Sequence, residues 1–578
     1  MEEVEDENSI INLKEIPVVV RIESEDSDNE GGLGNVSRVV MRPPGHSGKA
    51  KRGHLCFDAA FETGNLGRVQ LVSDFEYDLF IRPDTCNPRL RVWFHFTVDN
   101  IRIDQRVIFN IVNFSKKRTL FLNGMTPLVR SHFRNKWQRM PRKNVYYHKS
   151  PYHMSNYILT FSFTFDKEED VYDFSFSYPY SYSKLQAHLE LIERKHFAHF
   201  KRELLGKSIQ NRRLDILTIT HPKNMTPGQQ LRVVVIMARI HPGESPTSFV
   251  CQGIIDFLVS NHPIAIILRE HIVFKIVPML NPDGVFLGNY RSSLMGLDLN
   301  RWWNSISHWL HPTLHSVFSF LSGIDQDKNM ELDFVMDLHA HCSLLGVFIY
   351  GNTYDDVFRY ERHIVFPKLL AQNTDGYESC NTMYNRDINK AGSSRRVLCD
   401  VLKDSVNCYS LIVSYHGYKH PNVPGVHYYT EESYYRLGRN VVRTYLDYYR
   451  ITGVVPAAER EPRQARARRR QPRTKSFHSR SVPGRSAALP SSREASAHRV
   501  ALTFRDDALT SEGEGERTCH TRVTSHTWVK RRRCRSQPPP RPPPPSQPPL
   551  PPTVNIIDFN TLTRGGLELA KKRKAPPY

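Results

Sequence analysis

The chain has 578 residues, of which 39% are hydrophobic, 11% aromatic and 24% charged. This length suits three or four domains, and this many rings fill a sizeable core, which excludes wholesale disorder. The net charge of +20 is unevenly spread: Gly453–Tyr578 holds 26 Lys and Arg against 10 Asp and Glu, so this tail carries +16 and residues 1–452 only +4. A basic balance confined to a tail gives no ground for reading the folded body as a nucleic-acid enzyme.

The longest apolar runs, Val233–Ala238 and Ile272–Leu280, reach about ten residues at most. A membrane-spanning helix needs about 20, so no membrane partner is expected. The start, MEEVEDENSI, is acidic where a secretory leader is basic and then apolar, which predicts an intracellular protein. The 9 cysteines form no C-x-x-C pair. They are expected as reduced thiols rather than a disulfide framework or a zinc knuckle.

Residues 1–36 read as an acidic flexible arm. Glu23–Gly32 (ESEDSDNEGG) carries dense like charge and little apolar surface, while Ile16–Arg21 is a candidate short strand. Residues 37–182 show a period of two. Leu90, Val92, Phe94, Phe96 and Val98 share one face. Tyr157, Leu159, Phe161, Phe163 and Phe165 share another. Tyr172, Phe174, Phe176, Tyr178 and Tyr180 alternate with Asp173, Ser175 and Ser177. Half-buried strands separated by turn residues predict an antiparallel β-sandwich.

In residues 183–452 the pattern changes to α/β. Leu231–Ile240, His271–Leu280, Glu331–His341 and Cys408–Tyr415 are near-continuously apolar strands. Helices are expected at Pro246–Ser260, near Thr313–Gly323 and at Glu431–Arg450. Strands apolar on both faces imply an α/β/α arrangement around a mixed, mostly parallel sheet. Residues 453–578 are a basic, Pro-rich tail with 18 of the 38 prolines. Pro538–Pro552 predicts polyproline II, a spacer or a ligand for aromatic-groove domains. Ala467–Arg470, Lys530–Arg533 and Lys571–Lys574 are candidates for nuclear import or polyanion binding.

Chemistry concentrates in the α/β region. His241 and Glu244 lie in ARIHPGESP just after a buried strand. An imidazole and a carboxylate three residues apart on a turn reach one metal, and zinc accepts both. In DLHAH, the residues Asp337, His339 and His341 share one strand face, so His339 or His341 supplies a third ligand. Asn289–Arg301 contributes Arg291, Asp298, Asn300 and Arg301, groups suited to a carboxylate substrate and a developing oxyanion.

HPGE, NPDG, GNYR…LDLNR and DLHAH, in this order, resemble the cytosolic carboxypeptidases of the carboxypeptidase A-like zinc peptidase superfamily, over about residues 37–452. The resemblance implies one zinc ion held by His241, Glu244 and His339, which selects His339 over His341. It implies Asn300 and Arg301 on the substrate's terminal carboxylate and Arg291 on the oxyanion. It also implies removal of glutamates from polyglutamylated tails of tubulin and other proteins, in the cytoplasm and at microtubules or centrioles. Recognition of a glutamate side chain requires cations, for which Lys390, Arg395 and Arg396 are candidates.

One position departs from the family. Its catalytic carboxylate is expected in a segment like C-Y-T-L-E-V-S-F, whereas this chain reads Cys408–Tyr415 with Ile412 in the glutamate's place. No Asp or Glu occurs from Ser405 to Thr430, and Glu431 and Glu432 follow on the next helix. Three readings result: a glutamate-removing zinc carboxypeptidase, a catalytically impaired protein that binds glutamate tails, and an amino-acid acylase of the related aspartoacylase type.

Overall fold

The computed structural model describes residues 34–456 apart from 44, 154, 227–229 and 421. The expected strand at Ile16–Arg21, the polyproline segment and the three basic clusters lie outside the described residues. No single helix among the described residues is long and apolar enough to cross a membrane. The seven cysteines among them are all free thiols.

Eleven strands between Val39 and Ser175 form two sheets. One runs Val39–Val40, Cys56–Asp58, His95–Asp99, Tyr172–Ser175, Leu128–Ser131, Gln138–Arg139. The other runs Arg68–Ser73, Glu76–Phe80, Arg106–Ile111, Tyr157–Thr164, Val145–Lys149. Phe109 of the second sheet meets Phe57, Phe96 and Phe174 of the first at centroid distances of 5.3–6.1 Å. The expected sandwich is therefore present, with two corrections. The pair Glu76–Phe80 and Arg106–Ile111 is parallel, because the chain crosses to the other sheet between them. And Tyr172–Ser175 is buried on both faces rather than half-buried. It lies between two neighbouring strands, and its polar face is closed by His95, Arg130 and His132, all bonded to Asp173.

Alternation gives way to continuous burial in the second region, as the apolar strands require. Its eight-stranded sheet has the order Phe200–Lys207, Arg213–Ile219, Ile272–Val277, Leu231–Ala238, Met330–His341, Asn407–Ser414, Val347–Gly351, Met383–Tyr384. The central pairs are parallel, and both flanks carry antiparallel pairs. Val234, Ile236 and Ala238 face one core together with helices Pro246–Val259 and Glu431–Ile451. Val233, Val235 and Met237 face the other, with helices Pro312–Gln326 and Ser394–Val401. The first two helices touch backbone to backbone: a Cβ at Gly253 would sit 2.3 Å from the Tyr435 carbonyl oxygen. This layering leaves the carboxyl ends of two adjacent parallel strands, Leu231–Ala238 and Met330–His341, open for a site.

Candidate metal centre

The two strands end in the two halves of the centre. After Ala238 the chain turns through Arg239, whose φ of 58° lies in the left-handed region. The buried Arg239 guanidinium holds this turn, donating from Nε to the Pro242 carbonyl at 2.7 Å and from Nη1 to Tyr180 O and Ser248 Oγ. Gly243 is needed for closeness, because a Cβ there would lie 2.7 Å from the Tyr290 carbonyl oxygen. The Tyr415 hydroxyl donates to the Gly243 carbonyl at 3.0 Å.

His241, Glu244 and His339 come together as the sequence predicts, each offering one ligand atom within 4.8 Å of the others, and all three are buried. Both Nδ1 atoms face Glu244, at 2.7 Å for His241 and 3.0 Å for His339. Both Nε2 atoms face away, onto Asp298 at 3.0 Å and Asp337 at 2.9 Å. A carboxylate behind each imidazole fixes its ring and raises its basicity, as is usual around metal-ligating histidines. His341 takes no part: its Nδ1 accepts the Ser343 and Leu344 backbone N–H groups, so it shapes the turn after the strand.

Charge also fits a cation. Burial works against ionised Glu244, yet His241 and His339 hold its carboxyl well below the usual carboxylate range. Burial likewise opposes a charged His339, yet Asp337 and Glu244 outweigh it and raise the ring to about 10. Asp298 is held far down against its burial by Arg291 and His241. Three carboxylates thus surround two imidazoles, Glu244 between the rings and Asp298 and Asp337 on their far sides, and Asp337 Oδ1 is buried without a partner. Two imidazole nitrogens and a carboxylate are a donor set that zinc favours.

The sandwich builds the neighbouring loop. Asp84 accepts the backbone N–H groups of Tyr290, Arg291 and Ser292 at 2.6–2.8 Å. Asn65 donates to the Gly288 carbonyl at 2.9 Å. Arg291 then donates from Nε to Asp298 Oδ2 at 2.7 Å, which places its guanidinium at the cluster's edge. Asp84 and Asn65 escaped sequence reasoning, because nothing local marks a carboxylate some 200 residues upstream as a partner of this loop.

Comparison with known proteins decides the family. Residues 185–361 match the zinc carboxypeptidase family model, and residues 57–176 match that of the cytosolic carboxypeptidase N-terminal domain. Cytosolic carboxypeptidase 6 of Mus musculus is 55% identical over 431 residues, covering 74% of this chain and 80% of its own length. The Homo sapiens protein of the same name is 53% identical, covering 74% and 86%. The chain belongs to the cytosolic carboxypeptidases. A solved metallo-carboxypeptidase from Burkholderia cenocepacia shares the fold, with a TM-score of 0.59 at 19% identity, covering 69% of this chain and 99% of its own.

The strand Asn407–Ser414 runs beside the one that ends at the cluster. Ile412 pairs in parallel register with His339. Paired residues of neighbouring strands share a face about 4.8 Å apart, so the isoleucine stands beside His339. It is buried, at 3% exposure. Glu431 and Glu432 do not replace it, since they pair with Lys184 and Arg439 at the outer end of their helix.

The proposed substrate-binding groups divide. Asn300 is buried, its Oδ1 accepting from Ser394 N–H at 2.9 Å and its Nδ2 lying 3.2 Å from His339 Nε2. Arg301 is partly exposed and reaches Asp298 at 3.9 Å. Lys390 lies 3.6 Å from Asp387 and 5.2 Å from the centroid of the Tyr350 ring. Arg395 corrects expectation: its guanidinium is buried against the Gly351 carbonyl, Asn352 and Asn385, and burial lowers it to about 10. The first turn of its helix faces inward, with Ser394 and Arg395 both buried. Arg396 turns the other way and lines a separate cavity of about 300 Å³ with Arg359 and Arg386.

Proposed function

We propose that this chain holds one zinc ion at His241, Glu244 and His339 and receives the C-terminal glutamates of polyglutamylated proteins, tubulin among them, in the cytoplasm. Glutamate removal is the reaction its family membership suggests. In this chain the reaction runs slowly, so capture of the tail outlasts cleavage. The observation that carries this reading is the pairing of Ile412 with His339 on one sheet face.

Bound there, zinc supplies Lewis-acid polarisation of a carbonyl and an acidified water. The chain's own residues do the rest. Arg291, bonded to Asp298 at the cluster's edge, would meet the developing oxyanion, and Arg301 would meet the terminal carboxylate; their contacts with Asp298 support this reading. What an isoleucine lacks is the proton transfer from water to the leaving amine, a function worth roughly 100- to 10,000-fold. An acylase reading has less support, because residues 57–176 match the N-terminal domain of the peptidase family.

The test is glutamate release from a glutamate-tailed tubulin-type peptide, comparing the natural chain with Ile412→Glu at matched zinc content. Faster release by the variant, by a factor in that range, is the expected result. Comparable release by both would mean that another group supplies the base, and the impaired-enzyme reading would be withdrawn.

A further inference from the structure

The two imidazoles are held from behind by different carboxylates, and those carboxylates are joined to each other. Asp298 Oδ1, 3.0 Å from His241 Nε2, also accepts the backbone N–H of Asn300 at 2.9 Å. The Asn300 side chain carries the connection on, its Oδ1 accepting the Ser394 N–H at 2.9 Å. The Ser394 hydroxyl then donates to Asp337 Oδ2 at 2.5 Å, and the same oxygen lies 2.9 Å from His339 Nε2. A bracket made of Asp298, Asn300, Ser394 and Asp337 thus runs behind the cluster from one ring to the other. Asn300, Ser394 and Asp337 are buried. Ser394 stands 94 residues from Asn300 and 57 from Asp337 along the chain, so no local motif announces it.

The start of the helix Ser394–Val401 is pressed against the segment that carries Asn300. A Cβ at Gly392 would lie 2.2 Å from the Arg301 carbonyl oxygen, and Trp303 N–H donates to the Gly392 carbonyl at 3.1 Å. These backbone contacts place Ser394 without help from its hydroxyl, so removing the hydroxyl removes one bond and not the docking of the helix. Most buried serine hydroxyls do no more than satisfy themselves on a nearby carbonyl, as Ser393 does on the Lys390 carbonyl at 2.7 Å. Ser394 differs, because its acceptor is a buried carboxylate that backs a metal-ligating ring. Asp337 Oδ1 has no partner, so among the described residues the hydroxyl and the His339 ring are what orient this carboxylate. Asp298, by contrast, is also held by Arg291. A carboxylate behind a ligating histidine fixes the ring only as well as it is fixed itself.

We propose that Ser394 is a positioning residue for the metal centre: through Asp337 it sets the His339 ring, and through Asn300 it joins that ring's support to the one behind His241. This rests on the reading of His241, Glu244 and His339 as the zinc ligands. It adds a residue outside the cluster that governs how tightly they hold the ion.

The test measures zinc affinity of the full chain by competition with a chromogenic chelator, with far-ultraviolet circular dichroism to report folding of each variant. Ser394→Ala is expected to weaken zinc about tenfold. Ser394→Thr keeps a hydroxyl and should stay within about twofold of the natural chain, as should Ser393→Ala, which deletes a buried hydroxyl one residue earlier. In cobalt-loaded protein the visible absorption of the bound ion should shift in Ser394→Ala and return in Ser394→Thr. Asp337→Asn weakens zinc by itself, and adding Ser394→Ala to it should cost less than about a further twofold, because the serine acts through that carboxylate.

Unchanged zinc affinity and cobalt absorption in Ser394→Ala overturn the positioning role and leave zinc binding standing. Equal losses in Ser393→Ala and Ser394→Ala also overturn it, since the turn would then be merely structural. So does a full additional loss in the double variant. If the natural chain holds zinc no more tightly than His339→Ala, the ligand reading itself falls, and the positioning role with it.

Discussion

Ile412 and His339 are one strand apart, and this pairing sets the expected chemistry. The candidate metal cluster is complete down to its outer carboxylates, while the neighbouring strand presents the non-ionisable Ile412 beside it. The outer carboxylates are testable in isolation. Asp298→Asn removes the charge behind His241 and should weaken zinc binding by roughly 10- to 100-fold, read by competition with a chromogenic chelator. His341→Ala should leave zinc affinity within about twofold, because that ring accepts the N–H groups of its own turn and lies outside the three-residue cluster. Equal losses in both variants would contradict the assignment of His339 as ligand. Much of this was legible in the sequence: His241, Glu244 and His339 stand in short local motifs. Arg395 was not, since spacing shows that a cation exists but not whether its helix turn faces the cleft or the wall.

At the scale of elements, the loop carrying Arg291 has little regular structure of its own and takes its shape from the sandwich. Asp84 satisfies three consecutive N–H groups there, although burial pushes its carboxyl up. Asp84→Ala leaves those donors buried without an acceptor, which should cost about 1–3 kcal/mol in denaturant unfolding. It should also weaken glutamate-peptide binding while zinc content holds. Unchanged peptide affinity would show that the loop keeps its form without the sandwich. Alternation along Tyr172–Tyr180 indicated a strand, which the structure keeps only over Tyr172–Ser175, and mistook its polar side for an exposed one. A period of two shows that two faces differ, not that one meets water. Here His95, Arg130 and His132 cover it.

For the whole molecule, acid sensitivity and charge distribution follow from the same contacts. Burial works against ionised Asp173, but His95 and Arg130 outweigh it and hold its carboxyl at about 2. Unfolded, the group titrates near 3.9, so its folded-state value is depressed. Its contribution of roughly 2 kcal/mol is fully present above pH ~4 and is lost as pH falls toward 2. Asp173→Asn should therefore unfold more easily at neutral pH, with a shallower loss of stability between those values, measured by urea unfolding across pH. The second prediction at this scale concerns the tail. Removing 453–578 takes away +16 of the +20 charge. Salt-sensitive binding to a polyanion such as heparin should disappear with it. Retention of the same salt dependence by 1–452 would place the polyanion site in the folded body.

The sequence by itself determined the change from a period of two to buried strands, the charge imbalance of the tail, the His241–Glu244 pair and the isoleucine at position 412. All of these are local: they depend on period, on neighbouring residues or on motifs a few residues long. Only the tertiary structure decided what surrounds them. Asp84 and Asn65 reach the Arg291 loop across some 200 residues, Arg239 braces the metal turn from within, and the loop at 115–119 docks on the strand end beyond His339. Those contacts depend on how two separately patterned regions pack, and packing between distant segments leaves no period to read in one chain.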